Sequence, residues 1–114
     1  MVEHRSVALD RVFGALADPT RRAIVARLAR RPATVSEIAE PFPMSLNAVS
    51  KHLRTLERAG LVRRQVVGRE HHCALNPAAL RPAADWVEHY RRFWEERLDA
   101  LEHFLAVRKQ RHRS

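Results

Sequence analysis

Proline and glycine divide this 114-residue chain into short segments, and only the stretch after Pro82 continues without interruption. Proline lacks a backbone N–H and keeps the preceding residue away from helical angles, while glycine commonly follows the last turn of a helix. Helices before Pro82 must therefore be short. A chain of this length has room for one domain with its own core, so the spacing predicts a single, mainly α-helical (α+β) domain.

The first two helices are predicted from apolar spacing and one capping signal. Four apolar residues recur at helical intervals near the amino terminus: Leu9, Val12, Phe13 and Leu16. They predict a first helix over residues 7–17. Asp18 can accept hydrogen bonds from free backbone N–H groups, and Pro19 suits the first helical position. A second helix is therefore predicted over residues 19–31.

A capping box predicts a third helix. Thr34 and Glu37 are three residues apart, so each side chain can accept a backbone N–H from the other residue. Pro41 and Pro43 limit this helix to a few residues.

A fourth helix is predicted over residues 45–59. Ser45 is a suitable N-cap, and Gly60 is placed to end the helix. Three apolar residues form one stripe at positions i, i+4 and i+7: Val49, Leu53 and Leu56. The stripe predicts that one face of this helix is buried and the other faces solvent.

The segment after Gly60 is predicted to form a β-hairpin over residues 61–75. Residues 61–67 are rich in β-branched side chains, Gly68-Arg69 offers a tight turn, and residues 70–75 can return as a second strand.

A long helix is predicted over residues 82–107, which completes the domain of residues 1–107. The basic residues 108–114 are predicted to be a disordered tail. The helix carries many large apolar side chains: Trp86, Tyr90, Phe93, Trp94, Leu98, Leu101, Phe104 and Leu105. This apolar surface is wider than one face of a small domain needs, which favours a partner surface. The alternative is that these residues fill the protomer's own core.

Positive charge is concentrated in the middle of the chain. Residues 21–69 contain eleven Arg or Lys against three acids, a surplus of eight that equals the formal charge of the whole chain, +8. A compact basic centre favours a polyanionic partner, because neutralising phosphates releases counterions. A generally arginine-rich composition is the alternative.

Two helices separated by a few residues and followed by a basic hairpin are typical of proteins that place a recognition helix in the major groove of DNA. The polar face of the fourth helix and the hairpin supply the candidate DNA-binding residues: Ser45, Asn47, Ser50, Lys51, Arg54, Arg58, Arg64 and Arg69. Ser45 suits a phosphate at the helix start, whereas Asn47, Ser50 and Lys51 suit base edges. Arg54 and Arg58, further along the helix, suit the DNA backbone. A polar face that is merely solvated is the alternative.

The run from Ser45 to Val62, Ser-Leu-Asn-Ala-Val-Ser-Lys-His-Leu-Arg-Thr-Leu-Glu-Arg-Ala-Gly-Leu-Val, resembles the recognition-helix signature of the ArsR family of bacterial repressors. Leu-Ala-Asp-Pro-Thr-Arg-Arg at residues 16–22 and the Gly68-Arg69 turn extend the resemblance over nearly the whole chain. The resemblance implies a homodimeric winged helix-turn-helix repressor. Such a protein pairs through its first and last helices and binds an inverted-repeat operator in double-stranded DNA.

The resemblance does not extend to the metal sites of the family. Where many relatives carry a cysteine pair, this chain has Thr34 and Ser36, which are poor ligands for soft metals. A second family site, on the last helix, falls on Val87, His89, Ala100 and His103. Only the two histidines can ligate, so the chain resembles a branch without metal-ligand motifs, and no metal or cofactor is expected. A repressor with a non-standard histidine site is the alternative.

Several other functional classes are not expected. The single cysteine, Cys73, cannot form an intramolecular disulfide, and no apolar run approaches the length of a membrane span or signal peptide, which predicts a cytoplasmic protein without a membrane partner. No phosphate-binding loop or nucleophile motif is visible, so we do not expect an enzyme. A winged-helix module that contacts an acidic protein remains as an alternative.

Overall fold

The computed structural model describes residues 2–113, which divide into one unit up to Ala83 and another from Ala84 onward. Helices and short strands follow one another in this order: α1 (Val2–Leu16), α2 (Pro19–Arg30), β1 (Ala33–Thr34), α3 (Val35–Ala39), α4 (Leu46–Arg58), β2 (Val62–Val67), β3 (Glu70–Leu75) and α5 (Arg81–Arg113). A 3₁₀ turn over Pro77–Leu80 precedes α5. The predicted mainly α-helical fold with a hairpin is confirmed.

Side-chain caps define where the central helices begin. The Asp18 carboxylate accepts hydrogen bonds from the backbone N–H groups of Thr20 (2.8 Å) and Arg21 (3.2 Å) at the start of α2. At α3 the predicted capping box is complete: the Glu37 N–H donates to Thr34 Oγ1 (3.2 Å), and the Thr34 N–H donates to Glu37 Oε1 (3.3 Å). These bonds satisfy backbone donors that have no partner within the helix.

Gly60 ends α4 by adopting the left-handed conformation, with φ of 77°. Its N–H donates to the Glu57 carbonyl oxygen (2.9 Å), and the Leu61 N–H donates to the Leu56 carbonyl oxygen (3.0 Å). Leu56 and Leu61 are both fully buried. This pairing of two reverse hydrogen bonds with an apolar contact is the Schellman arrangement, and it turns the chain from α4 directly into the hairpin.

The three strands form an antiparallel sheet in the order β1-β3-β2. Gly68, with φ of 64°, occupies the first position of the two-residue turn between β2 and β3, where such hairpins favour glycine. Ala33 in β1 lies opposite Cys73, and Thr34 opposite His72. The strand β1 was not predicted, because two residues are too few to show an alternating pattern.

The core of the first unit is built from the apolar faces of α1 to α4 and the inner face of the sheet. The predicted stripe of α4 is fully buried in it. The fully buried side chains are Ile24, Ile38, Val49, Leu53, Leu56, Leu61 and Cys73. Burial raises the pKa of the Cys73 thiol, because the thiolate would lose its hydration. The core therefore holds the sheet and α4 together and leaves the opposite face of α4 outside.

Helix α5 is 33 residues long and continues to Arg113. The prediction of a disordered tail from residue 108 was wrong, because Arg, Lys and Gln are good helix formers and no proline or glycine interrupts the segment.

Arg91 pairs with Glu88 (2.7 Å) and with Glu95 (2.9 Å), and these two carboxylates raise the pKa of its guanidinium. Among the described residues, no helix has the length and apolarity needed to cross a membrane.

Asp18 predicts an acid-dependent contribution to stability. The Arg21 and Thr20 N–H groups hold the pKa of this carboxyl below its ordinary value of 3.8. The charged carboxylate therefore stabilises the fold above pH 3.8, the pKa of the carboxyl in the unfolded chain. This stabilisation is lost as the pH falls through the lower pKa of the folded protein. We expect Asp18→Asn to have a lower urea midpoint than the wild type at pH 7. Between pH 4 and pH 3 the difference in urea midpoint between the wild type and the variant should narrow, because the protonated acid resembles the amide. A difference in urea midpoint that stays constant down to pH 3 would contradict a stabilising role for the Asp18 carboxylate.

Candidate nucleic-acid interface

The outer face of α4 presents a row of polar and basic side chains. Asn47, Lys51, Arg54 and Arg58 are exposed or partly exposed, and Ser50 is half-buried. Ser45 is the N-cap, with its Oγ accepting the Ala48 N–H at 3.1 Å. Since Oγ acts as acceptor in that bond, its hydroxyl hydrogen remains a donor for an anion at the positive end of the helix. The structure thus brings the predicted α4 residues onto one surface.

A groove of about 580 Å³ lies beside this surface, between the start of α3, the first turns of α4 and the hairpin. Ser50 and Leu46 line it from α4, and Arg69 lines it from the hairpin turn. The remaining lining residues are Thr34, Val35, Ser36, Glu37, Arg64, Glu70 and His71. Both predicted hairpin arginines, Arg64 and Arg69, therefore face the same groove as the start of α4.

Arg64 also has a role inside the protein that the sequence did not indicate. Its Nε donates to Glu57 Oε1 at 2.7 Å, and its Nη1 lies 3.4 Å from His71 Nδ1. The side chains of Arg64 and Glu57 are only 22% and 30% exposed, so this ion pair is shielded from solvent and ties β2 to the last turns of α4. Arg64 therefore positions the hairpin against α4, and its guanidinium reaches the groove from that anchored position.

Arg58 lies apart from the groove, although it shares the outer face of α4. It lines a shallow surface pocket of about 410 Å³ together with Arg11 and Gly14 of α1 and with Thr55 and Ala59. Arg58 is more than three turns away from Ser45 along α4. A DNA contact by Arg58 would therefore fall well to one side of contacts made at the start of the helix.

The Arg21 side chain links α4 to the end of α1. The Arg21 side chain donates to the carbonyl oxygens of Ala15 (2.6 Å) and Gly14 (3.2 Å), and its Nη1 lies 3.3 Å from His52 Nδ1. His52 is half-buried on the flank of α4. Arg21 thus connects the end of α1 with α4, and this connection depends on long-range contacts that no local pattern reveals.

Thr34, one of the two residues predicted from the sequence to be poor metal ligands, has a structural role. The Thr34 hydroxyl donates to Glu37 Oε1 (3.0 Å) while it accepts the Glu37 N–H, so both of its functions serve the α3 cap. The same contact lowers the pKa of the Glu37 carboxyl. Among the side chains that the structure describes, no group of three His, Cys, Asp or Glu is placed to hold a metal ion.

Helix α5 carries a continuous apolar stripe. The stripe residues are all at least 40% exposed: Trp86, Tyr90, Phe93, Trp94, Leu98, Leu101, Phe104 and Leu105. Ring contacts order its first half, with Trp86 and Tyr90 centroids 4.6 Å apart and the Arg97 guanidinium 4.3 Å from the centre of the Phe93 ring. A stripe of this size on one helix is a surface suited to apolar contact with a partner.

The chain is similar to known DNA-binding regulators in sequence and in structure. Residues 16–65 match a helix-turn-helix domain family. The HTH-type transcriptional regulator Rv2034 of Mycobacterium tuberculosis is 46% identical over 92 residues, which cover 78% of this chain and 80% of that protein. The transcriptional repressor SdpR of Bacillus subtilis is 33% identical over 79 residues, covering 69% of this chain and 88% of the repressor.

The fold is also found in solved structures. The crystal structure of an ArsR family transcriptional regulator superimposes with a TM-score of 0.74 at 42% identity, covering 79% of this chain and 93% of the other. A solution structure from Mycobacterium bovis, described as a homodimeric winged helix-turn-helix DNA-binding domain, has a TM-score of 0.61 at 27% identity and covers 75% of this chain and 82% of the other.

Proposed function

This chain belongs to the ArsR family of winged helix-turn-helix transcriptional regulators, and we propose that it acts in the cytoplasm as a homodimeric repressor of transcription. In this proposal each protomer places α4 in the major groove of one operator half-site, while the hairpin serves as the wing. The observation that carries the proposal is the exposed polar face of α4 beside the groove that Arg64 and Arg69 line.

The candidate contacts divide by their chemistry. Asn47, Ser50 and Lys51 lie in the first two turns of α4, where a recognition helix meets base edges. Ser45 and the N–H groups of the first turn favour a phosphate. Arg54 and Arg69 carry exposed charges suited to the DNA backbone. Base edges would therefore be read by the start of α4, and the remaining contacts would fix its position on the duplex.

The apolar stripe of α5 supports a homodimer. Two copies of the stripe can bury each other. Helix α1, in the first unit, has exposed apolar residues of its own, Val7 (48% exposed) and Phe13 (37% exposed). The Mycobacterium bovis domain, described as homodimeric, shares this fold. A two-fold axis would place the recognition helices about one DNA turn apart, or a multiple of it, which requires an operator with inverted-repeat symmetry. The relative named as a repressor, SdpR, supports repression as the outcome of binding.

The proposal predicts DNA affinity that depends strongly on salt. Selecting from a random library of double-stranded DNA with the full chain should enrich an inverted repeat. Binding to the selected duplex should then weaken steeply as salt rises from about 50 to 200 mM, because counterions are released from each neutralised phosphate. Enrichment of no symmetric sequence, or an affinity that hardly changes with salt, would contradict the proposed function.

Two substitutions on α4 should separate the two kinds of contact. Lys51→Ala should weaken binding to the selected duplex by about 1–3 kcal/mol and relax base preference at one position of each half-site. Arg54→Ala should weaken binding to all duplexes alike and reduce the salt slope by about one unit for each phosphate that the protein no longer neutralises. Arg92→Ala, which removes an exposed charge from α5, is the matched control and should leave affinity unchanged. Equal effects of Lys51→Ala on selected and random duplexes would remove Lys51 from base recognition.

A further inference from the structure

Leu46 is an apolar side chain in a place where the fold does not need one. It is the first residue of α4 and is 54% exposed, whereas Val49, Leu53 and Leu56 of the same helix are fully buried. Among the described residues, the partly buried apolar side chains just before α4 that pack on the core are Phe42 and Met44, and Leu46 is not one of this set. Its apolarity therefore has no explanation in the packing of the first unit.

Single exposed leucines are common on protein surfaces, so the position of Leu46 carries the argument. Side chains in a helix lean toward its amino terminus, so Leu46 projects beyond the start of α4. It also lies one turn before Ser50 on the same side of the helix, and both line the groove that Arg69 lines from the hairpin. Leu46 thus stands among the residues proposed to meet the edges of bases.

The chemistry of the major groove leaves Leu46 one favourable partner. Base edges there present hydrogen-bond donors and acceptors, and the single apolar group among them is the C5 methyl of thymine. A leucine cannot hydrogen-bond, so a donor or acceptor facing it would lose its water without compensation. We propose that Leu46 is a specificity-determining residue that recognises a thymine methyl in each operator half-site. This inference rests on the proposed function, because it requires α4 to enter the major groove.

Replacing thymine by deoxyuridine tests the inference, since it removes the methyl group and changes no hydrogen bond. Each thymine pair of the selected inverted repeat would be replaced in turn, and dissociation constants measured for the wild type and for Leu46→Ala. We expect one symmetric replacement to weaken wild-type binding about fourfold per half-site, the factor that corresponds to about 0.8 kcal/mol for one buried carbon. Leu46→Ala should bind the thymine and uracil duplexes with the same affinity.

Val66→Ala is the matched control, because Val66 is an equally exposed aliphatic residue (58%) on the wing. This variant should keep the full sensitivity to uracil. The inference is overturned if the wild type tolerates every uracil replacement, or if Leu46→Ala loses as much affinity as the wild type at the sensitive position. Either result leaves the proposed function intact. A wild-type chain that selects no duplex at all overturns the proposed function and this inference with it.

Discussion

Replacing Leu53 by alanine is expected to lower the free energy of unfolding by about 2–5 kcal/mol, measured by urea denaturation at one fixed protein concentration. Leu53 is fully buried between α4 and the rest of the core, so the shorter side chain packs less apolar surface and leaves a cavity. The expected decrease is a large fraction of the stability of a domain of this size. Operator binding should fall with it wherever unfolded chain becomes populated.

Leu46→Ala is the matched control, because it makes the same chemical change on the same helix. Since Leu46 is 54% exposed, this variant should stay within about 0.5 kcal/mol of the wild type in the same titration. A decrease below about 1 kcal/mol for Leu53→Ala, or equal decreases for both variants, would contradict the burial of the α4 stripe.

Replacing Leu101 by glutamate is expected to convert the proposed homodimer into monomers at micromolar concentration, as sedimentation would measure. Leu101 lies in the middle of the apolar stripe on α5, and dimerisation would bury the new charge without a partner. Operator affinity should fall at least about 100-fold, because two half-sites then bind independently and without the advantage of linkage. Circular dichroism should retain the helical signal, since Leu101 is 51% exposed in the protomer.

Ala106→Glu introduces the same charge about 140° around α5 from Leu101, away from the apolar stripe. This control should remain dimeric and bind the operator like the wild type. If Leu101→Glu remained dimeric with undiminished affinity, the stripe would not be the dimer interface.

Local sequence signals predicted most of the first unit. Asp18, Thr34 and Ser45 each start a helix through a side-chain oxygen, and Gly60 ends α4, because capping depends on residues within one turn of one another. The short strand β1 pairs with β3, which lies almost forty positions later in the sequence, and the sequence of neither strand indicates that the two will pair. The helical end of α5 was not predicted, because its basic composition also suits a solvated tail, although its residues are good helix formers.

The sequence predicted which polar side chains lie on the outer face of α4, but it did not predict how that face is tied to the rest of the protein. Asn47 and Lys51 were expected on the outer face of α4 because helical periodicity alone decides which side the buried stripe leaves exposed. The anchoring of Arg64 by Glu57 was not predicted, because an exposed-looking arginine in a strand gives no sign of the helix that it will meet. Leu46 was not among the predicted site residues, since apolar residues in an amphipathic helix are ordinarily assigned to the core.

The burial of Cys73 makes the chain its own probe of local opening. As the single thiol, at the centre of the middle strand and with no exposed surface, it can be alkylated only while the sheet is transiently open. The rate of labelling therefore measures how often β1 or β2 separates from β3 in the native protein. Because the wing is the hairpin of β2 and β3, any slowing of this reaction by bound DNA would report, without an added label, how far the operator stiffens the wing.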